Sequence, residues 1–123
     1  MYEVTVEDTF AAGHALRGYK GKCENVHGHN YRVQVTVQGA ELDSTGLLVD
    51  FVELKRVMRD VIARLDHQFV NDLEPFTVIN PSAENMAKYF YDHIAGSLRP
   101  ETPLRISQVK LWETDTSSAT YRE

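Results

Sequence analysis

At 123 residues, 42% of them hydrophobic and 25% charged, the chain has the size and balance of one globular domain, 1–123. A net charge of −5 argues against a face for nucleic acid or anionic membrane, which would have to be basic. No apolar run nears the roughly 18 residues of a membrane span, and a single cysteine cannot form an internal disulfide. The opening MYEVTVEDTF carries acids where a secretory leader needs a basic start and an apolar stretch, so the expected location is cytoplasmic.

YEVTVEDTFAA (2–12) reads as a first strand. In YRVQVTVQG (31–39), Tyr31, Val33, Val35 and Val37 alternate with Arg32, Gln34, Thr36 and Gln38, the period-2 signature of a strand with one covered face. DSTG (43–46) predicts a turn and LLV (47–49) a short strand. Asp50 then caps a helix, with Glu53 completing a capping-box pattern. Phe51, Leu54, Val57, Met58, Val61 and Leu65 form that helix's apolar face. NPSAEN (80–85) opens a second helix whose covered stripe is Met86, Ala87, Phe90, Ile94 and Leu98. LRPETP (98–103) breaks the chain. LRISQVKLWET (104–114) is a strand, and ATYR (119–122) is its partner after the turn at TDTSS. Strands at both ends with two helices between predict an α+β domain with a mostly antiparallel sheet.

Chemistry concentrates in KCENVHGHN (22–30). His27 and His29 are two apart and share a face, continuing the inward row of Tyr31 to Val37. Two imidazoles at the inner end of a strand suit one metal ion, and Gly28 between them leaves room for close approach. His14, at the end of the first strand, is the natural third ligand. Three histidines and an open position are the pattern of a catalytic zinc site. Cys23 has two readings: a fourth ligand that closes the site, or a reactive thiolate held off the metal.

Asp66-His67 ends the first helix, either as an exposed capping pair or as an acid–base unit in which the aspartate orients the histidine. Glu113 shares a face with Val109 and Leu111 at a strand end, either emerging into solvent or pointing into a site. Arg17, Lys20 and Lys22 are cations able to hold phosphates or simply to be solvated. His93, at the edge of the second helix's stripe, reads as structural.

Six motifs in register resemble the 6-pyruvoyl-tetrahydropterin synthase family. They are F-x-A-x-H (Phe10, Ala12, His14), C-x3-H-G-H (Cys23, His27, Gly28, His29), G-x3-D-F (Gly46, Asp50, Phe51), L-D-H-x2-V-N (Leu65 to Asn71), N-P-S-x-E (Asn80 to Glu84) and a late E-T with a following Tyr (Glu113, Thr114, Tyr121). Within the family, the short length and the LDHQFVND stretch look closest to the bacterial 6-carboxy-5,6,7,8-tetrahydropterin synthases of queuosine biosynthesis. The resemblance implies the tunnelling fold (T-fold): a four-stranded antiparallel sheet with two helices on one face, closing into a barrel as a trimer and stacking as a homohexamer.

It also implies zinc held by His14, His27 and His29, Cys23 as general base, and Asp66 and His67 as a dyad delivered from a neighbouring subunit. Glu113 would anchor a small-molecule pterin triphosphate substrate, with no nucleic acid or membrane partner. Gly13 and Val70 stand where the family often has alanine and leucine. Two other readings stay open. One is the pyruvoyl-forming reaction on the same site. The other is a non-catalytic zinc module closed by Cys23.

Overall fold

The computed structural model describes residues 1–98 and 103–123. Four strands, β1 (Tyr2–His14), β2 (His27–Gly39), β3 (Arg105–Thr114) and β4 (Ser117–Tyr121), form one antiparallel sheet in the order β1-β2-β3-β4. Helices α1 (Phe51–Leu65) and α2 (Ala83–Ser97) come between β2 and β3 in the chain. Two helices against one face of an antiparallel sheet is the α+β tunnelling-fold architecture expected above.

Alternation builds the core. Val6, Phe10 and Ala12 of β1, Tyr31 to Val37 of β2, and Val109 and Leu111 of β3 turn inward. Leu54, Val57, Met58, Val61 and Leu65 of α1 meet them, as do Met86, Ala87, Phe90 and Ile94 of α2. Asp50 caps α1 by accepting the Val52 N–H at 2.8 Å, and Ser82 caps α2 by accepting the Asn85 N–H at 3.1 Å.

Both first strands run further toward the histidines than their hydrophobic patterns reach. β1 continues to His14 and β2 begins at His27, and these two residues are register partners. The strand predicted at 47–49 does not form. β2 already has β1 and β3 on its two sides, and the Asp43 carboxylate takes the Thr45 and Leu47 N–H groups at 2.8 and 3.0 Å. That local turn consumes the donors a strand would need. Phe51, predicted on the covered face of α1, stays 60% exposed in the helix's first turn. The predicted break at 98–103 falls mostly on 99–102, outside the described residues. Among the described residues, no helix is long and apolar enough to cross a membrane.

Candidate metal centre and active site

The antiparallel pairing of His14 with His27 puts the end of β1 beside the start of β2. His29 follows on the same face, and Glu113 arrives near the end of β3. One ligand atom from each of His14, His27, His29 and Glu113 lies within 4.8 Å of all the others. The three imidazole rings stand edge-on, with centroids 4.5, 4.9 and 5.1 Å apart.

Backbone carbonyls set the tautomers. His14 Nδ1 donates to Pro81 O and His27 Nδ1 to Asn25 O, both at 2.7 Å. A carbonyl only accepts, so Nδ1 carries the proton and Nε2 keeps its lone pair, the arrangement of a metal-ligating histidine with its outer partner in place. His14 is fully buried, and the Nε2 atoms of His14 and His29 lie buried without an aligned hydrogen bond. Glu113 Oε1 approaches them at 3.4 and 2.7 Å. Burial holds His29 below the usual imidazole range against the raising effect of the Glu113 charge, and the neighbouring histidines lower it further. Three imidazoles, two of them with unpartnered buried Nε2 atoms, beside one carboxylate fit a divalent cation that favours nitrogen and oxygen ligands.

Cys23 sits in a single helical turn, Lys22–Glu24, and is half-buried. Its carbonyl accepts the Leu16 N–H at 2.8 Å, and its thiol is not among the clustered ligand atoms. The segment after α1 runs along the edge of β1. His67 N donates to Ala11 O at 2.6 Å, Gly13 N to Gln68 O at 3.0 Å, and Ala11 N to Asp66 Oδ1 at 3.0 Å. That last bond, with His67 adjoining, keeps the Asp66 carboxyl below its ordinary range. His67 Nδ1 lies 3.0 Å from Asp66 Oδ1, 81% of the side chain is exposed, and its backbone is left-handed at φ 58°. Such a conformation in a non-glycine residue recurs at functional sites.

Together with Gly28, His29, Asn30, Ala11, Ala12 and Gly13, His67 lines a shallow recess of about 420 Å³. The recess draws on both strand parities, Gly28 and Asn30 on one and His29 of the cluster on the other. Neither Asp66 nor His67 is among the clustered ligand residues. A larger cavity of about 880 Å³, bordered by Gln38, Tyr91, Ile106 and Arg122, lies at the far end of the sheet.

Arg17 keeps its charge but commits part of its guanidinium to the backbone. Its guanidinium donates to Phe76 O at 2.7 Å, Asn71 O at 3.2 Å and Ile79 O at 3.4 Å. Two asparagines complete this clasp. Asn71 accepts from Ala15 N and donates to Ala15 O, and Asn80 does the same with Arg17. Their roles went unread in the sequence, although both stand inside recognisable motifs, and together they bolt the segment after His14 to the loop before α2. His93 donates to Tyr89 O within α2 and is structural, as expected.

The family model for 6-pyruvoyl tetrahydropterin synthase matches residues 3–123. A 6-carboxy-5,6,7,8-tetrahydropterin synthase of Bacillus subtilis is 36% identical over 98% of this chain and 85% of its own. A 6-pyruvoyl tetrahydrobiopterin synthase of Drosophila melanogaster is 35% identical over 97% of this chain and 78% of its own. The solved 6-pyruvoyl tetrahydropterin synthase of Caenorhabditis elegans superposes with a TM-score of 0.85 at 29% identity, covering 100% of this chain and 97% of that one. With the strand–helix order, the histidine cluster and a family match over nearly the whole length all in agreement, the chain belongs to the 6-pyruvoyl tetrahydropterin synthase family of pterin-processing enzymes.

Proposed function

We propose that the chain converts 7,8-dihydroneopterin triphosphate and one water to 6-carboxy-5,6,7,8-tetrahydropterin, releasing acetaldehyde and triphosphate, as a cytoplasmic step of queuosine biosynthesis. The observation that carries this reading is the convergence of His14, His27, His29 and Glu113 at one end of the sheet, in a chain of this family.

His14, His27 and His29 would hold zinc, which when bound supplies Lewis acidity toward a substrate hydroxyl. Cys23, outside the ligand group, is the general base that takes a proton from the substrate's side-chain carbon. Asp66, fixed by the Ala11 N–H, orients His67 through Nδ1 and leaves Nε2 to move protons to and from oxygen. The dyad, held on the edge of β1 and outside the ligand group, is a contribution to a neighbouring copy's site. Among the described residues, the outer edges of β1 and β4 have no partner strand, which suits closure of three sheets into a barrel and stacking of two trimers as a homohexamer. The Glu113 carboxylate accepts paired hydrogen bonds from the pterin ring N–H and amino group. Arg17, with three of its five N–H donors already on backbone carbonyls, has fewer left for the triphosphate and shares that role with Lys20 and Lys22.

The test is release of triphosphate by the zinc-loaded protein. Cys23→Ala should stop release while zinc stays bound. If that variant loses its zinc, Cys23 is a ligand and its role as base fails. A second reading, the pyruvoyl-forming reaction, uses the same residues. It is favoured by the pyruvoyl synthase of Drosophila melanogaster, whose 35% identity nearly equals the 36% of the carboxy enzyme.

A further inference from the structure

Tyr31 is fully buried, yet its hydroxyl has no hydrogen-bond partner among the described residues. It follows His29 on the inward row of β2, where Val33, Val35 and Val37 are all apolar. The ring stacks on Phe10, with centroids 5.0 Å apart and planes 14° apart. It stands edge-on to His14 at 5.9 Å and to His29 at 5.4 Å. A phenylalanine would make the same ring contacts without stranding a hydroxyl, and a buried hydroxyl without a partner destabilises the fold. Packing therefore explains the ring and leaves the oxygen unexplained.

We propose that the Tyr31 hydroxyl is a positioning donor, reserved for an oxygen atom held beside His14, His27 and His29 when the cluster carries a metal ion. That oxygen belongs to a water on the ion, which accepts a phenolic hydrogen bond. The hydroxyl would then act on the metal through its oxygen ligand, as outer-shell partners do. This inference rests on the metal reading of the cluster and does not require a pterin substrate.

Tyr31→Phe removes one atom and keeps the ring. Zinc affinity, measured by competition against a chromophoric chelator, should weaken about tenfold. The thermal midpoint of the metal-free variant should be no lower than that of the metal-free wild type. Unchanged zinc affinity would overturn the proposal. So would a lowered metal-free midpoint, because it would show that the hydroxyl has a structural partner within the fold. Failure of the wild type to hold zinc would sink the metal reading itself and the inference with it. Zinc bound normally by the wild type, but no differently by Tyr31→Phe, would sink the inference alone.

Discussion

His14 donates through Nδ1 to the carbonyl of Pro81 at 2.7 Å, so a ligand at the end of β1 is oriented by the entrance to α2. The two residues are 67 positions apart. Ala15 and Arg17, immediately after His14, are held by Asn71 and Asn80 through paired backbone hydrogen bonds. The aim of the His14 ring therefore depends on the loop between the helices.

Asn71→Ala should destabilise the fold by about 2 kcal/mol, because it leaves the Ala15 N–H and carbonyl without their partner in a site where Asn71 is only 7% exposed. Zinc affinity should weaken with it. Chemical denaturation and chelator competition on the same variant check the pair. A stability loss with wild-type zinc affinity would show that the clasp supports the fold without aiming His14.

Alanine at His14, His27 or His29 should lower zinc affinity by more than the roughly 10- to 100-fold that follows loss of an outer-shell partner. His93→Ala, which removes a histidine bonded within α2, should leave zinc content unchanged. Metal analysis after dialysis separates the two groups. Equal zinc loss in all four variants would remove the assignment.

Glu113 lies close enough to the histidines to be a ligand and is assigned above as the pterin anchor. Glu113→Gln decides between these roles. The anchor role predicts retained zinc and a substrate affinity lower by about 2 kcal/mol, roughly thirtyfold, the loss expected for hydrogen bonds to a charged group. Titration calorimetry with zinc and then with the pterin gives both numbers. Lost zinc with intact pterin affinity would make Glu113 a ligand.

Asp8 on β1 accepts from Arg59 on α1 at 2.8 Å, and that bond holds its carboxyl below the usual range. A carboxyl depressed in the folded state stabilises above its unfolded value of about 3.9 and ceases to do so as pH falls through its lower folded value. With Arg59 60% exposed and Asp8 30% exposed, solvent screening keeps the pair near 0.5 kcal/mol. Asp8→Asn should cost about that much at pH 7 and almost nothing at pH 2. An equal cost at both values would assign it to packing.

Much of this molecule is legible as alternation and spacing. Tyr31 to Val37 announce β2 and its inward face, and the 3/4 spacing from Leu54 to Leu65 announces α1. The gap of two between His27 and His29 declares their shared side. Periodicity misled at 47–49, where β2 has no free side and the Asp43 carboxylate takes the Leu47 N–H in a local turn. The Asn71 and Asn80 clasp could not be read, because reciprocal side-chain bonds between distant backbone segments leave no periodic trace. The bonds of Arg17 could not be read for the same reason: its acceptors are carbonyls, which carry no sequence signal. Glu113 could be placed on the inward row of β3 but left open between solvent and a site, because its nearness to His29 depends on the β2–β3 register, which alternation alone does not specify.

Mass spectrometry of the products formed from 7,8-dihydroneopterin triphosphate by the zinc-loaded protein tests the central claim most directly. The account predicts 6-carboxy-5,6,7,8-tetrahydropterin with matching acetaldehyde and triphosphate. A pyruvoyl product would keep the site and change the reaction. Intact substrate after incubation with zinc-saturated protein would contradict the assignment of this cluster to pterin chemistry.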